Sequence, residues 1–287
     1  GPIHAVTLAL RQSWVMQSVP ADAAKVAYIL SPGERHDGPV TVVVVMGESI
    51  NPMRLALFGA PRDTTPDLLR VEASPPEGFR LQKKIGFSAG VATIASVPNF
   101  IKIPYYPVGL GASSISLFRI ASDNGFRSFY FSAQLAHSLE IAGDARRIER
   151  VETQDRWEKR LSEIHDDLLI DFLRETPAAP RRFFFLHQRV NHGPYEENCD
   201  HVASEINTLK PEGPTLDDRR RNEYDNGLRC FDRSLGRILD WASRQPGEVY
   251  VFYSSDHNEL MGEHGMWGHG PTHFSLSIVP MMLHGDA

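Results

Sequence analysis

Five of the six residues from Val40 to Val45 are valine, and the run continues through Met46 and Gly47 to Glu48. A strand with one wet face alternates apolar and polar residues. "VTVVVVM", Val40–Met46, does not, so it predicts a strand buried on both faces near the middle of a parallel sheet. Such a strand needs a helical layer on each side, and the rest of the chain provides candidates. Further strands are expected at Phe79–Phe87, Ser128–Phe131, Arg182–His187, Glu248–Tyr253 and Ile278–Leu283. Helical starts are read at Pro66–Val71 and near Thr93, and Ser113–Asn124 reads as a helix stopped by Gly125. Trp157, Leu161, Ile164, Leu168 and Phe172 recur every three or four residues, as one face of a long helix does. Tyr224, Leu228, Phe231, Leu235 and Ile238 do the same. This alternation, without internal repeats, predicts an α/β/α sandwich on a mostly parallel, doubly wound sheet. The polar stretch Asn198–Asp217 reads as a surface insertion.

Composition removes several function classes. A formal net charge of −6 and a pI near 6.1 argue against nucleic-acid binding, which needs a basic stripe. Cys199 and Cys230 are the two cysteines, too few for a disulfide framework, and they leave the redox compartment open. No apolar run reaches the roughly 18 residues of a membrane span. Gly1-Pro2 reads as a protease scar, so the natural chain is expected to extend upstream. Residues 1–36 are expected to be a juxtamembrane linker and helix, the alternative being a helix packed on the core, and residues 37–287 a catalytic domain.

Chemistry gathers at predicted strand ends, where open α/β sheets bind ligands. The first strand ends on Glu48, whose simplest reading is a helix cap or a solvated loop acid. "FFFLH" leads into "HQRVNHGPY" with His187 and His192, and His187 reads as a satisfied core histidine. "EVYVFYSSDHNELMGEHGMWGHG" brings Asp256, His257, His264 and His269. Five of the twelve histidines fall between His257 and His284, a concentration that an even spread would not produce. His264, His273 and His284 read as surface residues or as supports of the site. Glu48, Asp256, His257, His192 and His269 together favour a zinc site, since imidazole and carboxylate are the ligands Zn²⁺ takes without thiolate. "FSAGVATIASVPNF" supplies the hydroxyls Ser88, Thr93 and Ser96 beside small residues that let a phosphate approach the backbone. A hydroxyl at the first turn of the following helix would face an anion there and, on a metal, would be acidified enough to attack. Spacing alone leaves Thr93 and Ser96 equivalent, and Thr93 could simply cap its helix.

The same blocks carry a resemblance. "VVVVMGES" with "LALFGAPRDTTP", "SAGVATIASVP", "NHGPY" and "YSSDHNELMGEHGMWGHG" are similar to the motifs of the bacterial phosphoethanolamine transferases, of the alkaline phosphatase/sulfatase-like superfamily. "YDNGLRCFDRSLGRIL" resembles the helix before their last motif. The resemblance selects Thr93 as nucleophile and implies Glu48, Thr93, Asp256 and His257 as ligands of one tight Zn²⁺. It assigns His192 and His269 to the phosphoryl group or to a second, weaker zinc. It implies phosphoethanolamine transfer from phosphatidylethanolamine, through a phospho-threonine, to a hydroxyl of lipid A or another surface glycan. The catalytic domain would then sit in the periplasm, held at the bacterial inner membrane by an upstream transmembrane domain. The chain departs from the pattern at Ile50-Asn51, at Asn258, and at Ala89 and Asn99, where the family usually has bracing cysteines. No counterpart of the head-group loop stands near "SFYFSAQLAHSLE". A phosphoglycerol transferase or phosphodiesterase of the same fold is the alternative. A sulfatase activity would need a C/S-x-P-x-R motif, which the chain lacks.

Overall fold

The computed structural model describes residues 38–102, 116–143, 145–157, 163–195, 197–270 and 273–286. The linker and helix expected over residues 1–36 therefore lie outside the described residues. In chain order the strands are β1 (Val40–Gly47), β2 (Phe79–Phe87), β3 (Arg127–Ser132), β4 (Arg150–Glu152), β5 (Arg181–His187), β6 (Glu248–Ser255), β7 (Leu260–Met261), β8 (Trp267–Gly268) and β9 (Ile278–Asp286). The α-helices are α1 (Pro66–Ala73), α2 (Thr93–Ile101), α3 (Leu117–Asp123), α4 (His137–Ala142), α5 (Asp167–Glu175), α6 (Ala203–Ile206) and α7 (Leu216–Ala242).

Seven strands form one sheet in the order β2-β9-β6-β1-β5-β3-β4, and β7 and β8 make a separate hairpin. Every pairing from β6 across to β4 is parallel, and β9 runs antiparallel between β6 and β2. The valine run lies inside the sheet, as its lack of alternation required. Val43 and Val45 face a core shared with Leu169 and Leu173 of α5 and Leu228, Phe231 and Leu235 of α7. Val44 and Met46 face the other core, with Val97 and Ile101 of α2, Phe118 of α3 and Leu139 of α4. Neighbouring side chains of a strand point to opposite faces, so a strand with two dry faces must be apolar at every position. Each such burial stabilises the fold by about 1.5–3 kcal/mol.

The long helix α7 is set by a capping box in which Thr215 Oγ1 accepts from the Asp218 N–H at 3.1 Å and Asp218 accepts from the Thr215 N–H. The other predicted long helix does not form. Trp157 closes a 3-10 turn, and α5 starts only at Asp167. The Trp157 ring still packs 5.4 Å from that of Phe172. A tertiary contact therefore accounts for apolar spacing that looked like one helix face; residues 158–162 lie outside the described set. The helix read over Ser113–Asn124 is found as α3, capped by the Ser116 hydroxyl, and its first three predicted residues are also outside that set. The stretch Asn198–Asp217 is not a loose insertion. It carries a 3-10 turn and α6, buries Cys199, Val202 and Ile206, and is tied to α7 by a Cys199–Cys230 disulfide. The two cysteines, dismissed as a framework, are thus a pair. Among the described residues no helix is long and apolar enough to cross a membrane.

Candidate metal and nucleophile site

Register brings the chemistry together. Gly47 lies opposite Ser255, and Met46 and Ser132 both lie opposite His187. The residues that follow these strands, Glu48, Asp256-His257, Gln134 and Gln188, therefore emerge side by side at the carboxyl edge of the sheet. Glu48, Asp256 and His257 are all fully buried, so the reading of Glu48 as a solvated acid fails. Thr93 reaches them from the first residue of α2. Its helix is capped by Ala92 without a side-chain bond, so the threonine hydroxyl is free of capping duty. That hydroxyl lies 3.1 Å from Glu48 Oε2 and 3.3 Å from His257 Nε2. Ser96 is buried within α2, and the Ser88 hydroxyl donates to the Gly90 carbonyl.

Each acidic or imidazole group is oriented from behind. Glu48 Oε1 accepts from the Ser49 hydroxyl at 2.6 Å, and Oε2 accepts from Gln134 Nε2 at 2.7 Å. Asp256 Oδ1 accepts the N–H groups of Ser49 and His257 at 3.1 and 2.7 Å. Ser49 adopts a left-handed conformation, φ 58°, and its carbonyl accepts the Tyr224 hydroxyl at 2.6 Å. His257 Nδ1 lies 2.9 Å from the Asn258 carbonyl oxygen, to which it donates, so Nε2 is the nitrogen that faces the carboxylates. That Nε2 is 3.4 Å from both Glu48 Oε1 and Asp256 Oδ2.

The electrostatics explain why such a group of residues suits a cation. Burial and the Glu48 charge push Asp256 up to about 7. Burial also opposes the Glu48 charge, but the hydrogen bond and charge of His257 outweigh it and hold Glu48 well below the usual range. Burial lowers His257, yet the Asp256 charge and the Glu48 hydrogen bond raise it to about 10. In this arrangement a proton on His257 balances one of two buried carboxylates. A divalent cation between them would neutralise both and free that proton. The observation that tests the fit is Asp256 Oδ2, which is buried without a hydrogen-bond partner. Glu48, Asp256 and His257 present ligand atoms within 4.8 Å of one another, and the donor set suits zinc.

The two remaining histidines stand differently. His269 is half-buried, its ring centroid 4.4 Å from that of His257. Its Nδ1 bonds Glu259 Oε2 at 2.7 Å, and Glu259 Oε1 accepts the Tyr195 hydroxyl at 2.6 Å. The Glu259 bond raises the His269 pKa. His257, Glu259 and His269 form a second group with ligand atoms within 4.8 Å. His192 is half-buried on the loop after β5, with Nδ1 2.9 Å from the Gly193 carbonyl oxygen, and it contributes to the lowered pKa of Glu48. His187 is interior, 3.2 Å from Ser132 Oγ and 3.0 Å from Gln134 Nε2, and burial drives it down to about 4. His264 is exposed, with its ring 5.0 Å from that of His273. His284, read as surface or site support, is neither. It is buried, stacked 4.9 Å from Phe79, and pairs in register with mid-strand Val251.

Sequence reasoning missed Ser49, Gln134, Tyr195, Tyr224 and Glu259 as supports. Ser49, Tyr195, Tyr224 and Glu259 sat inside the motifs read from the sequence. Gln134 carried no signal, because its role arises only from the β3–β5–β1 register.

Comparison with known proteins agrees with this fold. The sulfatase family matches residues 40–285. The chain is 22% identical over 251 residues to phosphoethanolamine transferase EptC of Escherichia coli K12, covering 79% of the chain and 41% of the relative. It thus spans about two fifths of the length of the curated relatives it matches along most of its own. The C-terminal periplasmic domain of E. coli EptC in complex with Zn superposes with a TM-score of 0.70 at 20% identity, over 88% of this chain and 74% of that one. The integral membrane lipooligosaccharide phosphoethanolamine transferase A of Neisseria meningitidis gives 0.74 at 21% identity, over 99% of this chain and 54% of that one.

Proposed function

Since the chain belongs to the sulfatase family, we propose that this site transfers phosphoethanolamine from phosphatidylethanolamine, by way of Thr93, to a hydroxyl of lipid A or another surface glycan. One observation carries the reading: the Thr93 hydroxyl, at the first turn of α2, sits within hydrogen-bond reach of both Glu48 and His257. The names of the relatives support the chemistry.

Glu48, Asp256, His257 and the Thr93 hydroxyl would hold one zinc, which when bound would acidify that hydroxyl and offset charge on the phosphoryl group. Thr93 Oγ attacks phosphorus, the bond to the diacylglycerol oxygen breaks, and that oxygen leaves with a proton. The phosphoethanolamine on Thr93 then passes to the acceptor hydroxyl and the threonine is restored. The first N–H groups of α2, which have no intrahelical acceptor, would face the phosphoryl oxygens. His269 has Nδ1 fixed by Glu259, so Nε2 remains to protonate the leaving oxygen or bind the phosphoryl group. His192 serves the same group from the opposite loop, and a second, weaker zinc between His192 and His269 is part of the proposal. The Cys199–Cys230 pair supports an oxidising compartment, as the periplasm is. An upstream transmembrane domain would hold the catalytic domain, residues 37–287, at the inner membrane.

The test is mass spectrometry of the Thr93 peptide after incubation with phosphatidylethanolamine and, separately, phosphatidylglycerol. Phosphoethanolamine added to Thr93 supports the proposal. Phosphoglycerol at the same residue shifts it to the alternative transferase. An unmodified Thr93 with a modified Ser96 overturns the nucleophile.

A further inference from the structure

His192 sits on a loop rather than at a strand end, so something must hold it. Its N–H donates to the Arg189 carbonyl at 3.0 Å, and its carbonyl accepts from Asn198 Nδ2 at 2.7 Å. The same amide group of Asn198 reaches the Pro194 carbonyl at 3.4 Å, and its Oδ1 accepts from Arg189 Nε at 2.9 Å. One buried side chain thus ties both ends of the turn from Arg189 to Pro194. Arg189 is anchored in turn, its N–H on Asp166 Oδ1 at 2.7 Å and its guanidinium on Gln154 Oε1 at 3.1 Å.

Asn198 is itself fixed by its neighbour, because Cys199 is bonded to Cys230 in the middle of α7. Three residues before Cys230, Gly227 receives the side chain of Asn191. A Cβ at Gly227 would fall 2.2 Å from Asn191 Oδ1, and Asn191 is buried with φ 69°. The segment that carries His192 therefore meets one helix face at two points less than a turn apart, by the packing of Asn191 on Gly227 and by the Cys199–Cys230 bond. Helix α7 is rigid by its own packing in the core, so it can act as the rail for the loop.

We infer that Asn198 is a positioning residue for His192, braced against α7 by the Cys199–Cys230 disulfide. Asn198 bonds Arg189, His192 and Pro194 rather than Glu48, Asp256, His257 or Thr93; it acts by fixing the backbone that carries His192. The inference rests on the proposed transfer for its activity readout only.

The experiment is a double-substitution cycle with Asn198→Asp and His192→Ala. Aspartate is isosteric and still accepts from Arg189, but it cannot donate to the His192 carbonyl. Asn198→Asp should slow turnover of phosphatidylethanolamine by roughly 10–100-fold, the usual scale for supports of this kind, with zinc content unchanged. In the His192→Ala background it should cost nothing further, because the group it positions is gone. A full second loss in that background, or wild-type turnover in Asn198→Asp alone, overturns the inference. The imidazole NMR signal of His192 gives a readout that needs no substrate. Asn198→Asp should shift or broaden it while leaving the His257 signal in place, and an unmoved His192 signal also overturns the inference. If the wild-type protein leaves phosphatidylethanolamine untouched, the proposed function fails and the NMR arm still decides the role of Asn198. Replacing both cysteines by alanine should reproduce the His192 shift; should that variant not fold, the isosteric Asn198→Asp still decides.

Discussion

The two halves of the site are built by different means. Glu48, Asp256 and His257 leave parallel strands in register, are wholly buried, and are each gripped by backbone or neighbouring amides. His192 and His269 stand half-exposed on loops, the first tied by Asn198 and the second by Glu259. Strand ends cannot shift without breaking the sheet, so they suit an ion that needs fixed donors. Histidines held at the open side of the sheet edge stay reachable from solvent, so under the proposed function they would suit a substrate whose phosphoryl group enters and leaves. The difference teaches that retention of metal and handling of substrate should separate experimentally.

The largest effect should come from the point where the halves meet. Thr93→Ala should lower transfer by on the order of 10⁴-fold or more, as loss of a covalent nucleophile does, with the fold intact by circular dichroism. Turnover within tenfold of wild type would place the nucleophile elsewhere. On the strand-end side, Asp256→Asn removes a carboxylate and should strip the zinc, read as metal content after gel filtration. Chelation of the wild-type protein should likewise lower Tm by roughly 5–10 °C, because a ligand present far above its Kd stabilises by several kcal/mol. On the loop side, His192→Ala and His269→Ala should slow transfer by about 10²–10⁴-fold yet keep one zinc per chain. Loss of that zinc in either variant would erase the distinction between the halves. Glu259→Gln should cost about 10–100-fold through the His269 it orients, and no effect would remove Glu259 from the support of the site.

The smallest effect is on stability and involves no site residue. Burial lowers His284 to about 4, below the value of about 6.5 of an unfolded histidine. Between those values the unfolded chain binds a proton that the folded chain refuses. Stability is therefore undiminished above pH 6.5 and falls as the pH is lowered towards 4, by at most about 1.4 kcal/mol per pH unit from this group. His284→Phe keeps the stack on Phe79 and should flatten the fall, as measured by denaturant unfolding at pH 7 and pH 5. An unchanged slope would mean that His284 takes up its proton in the folded state.

The legible parts were those where one local pattern has one outcome. The valine run could not alternate and be wet, so Val40–Met46 had to be a two-faced interior strand. The long helix declared itself by the spacing of Tyr224, Leu228, Phe231, Leu235 and Ile238, although its start at Leu216 had read as loop. Most candidate site residues were also readable, since Glu48, Asp256, His257, His192 and His269 carry rare chemistry at strand ends or in Gly-rich loops, whereas Thr93 was separated from Ser96 only by the family resemblance. What failed was periodicity across a break. Trp157 and Phe172 meet as rings although no helix spans them, because packing selects for apolar residues whatever the backbone between them does.

The sequence by itself determined the sandwich and the cast of the site, because dry strands and clustered ligand types are properties of composition along short windows. Only the tertiary structure decided which of those residues share a pocket and which stand outside it. Cys199 finds Cys230, Gln134 finds Glu48 and His284 is carried off to Phe79, since strand register and helix packing set distances between residues that are far apart in the chain.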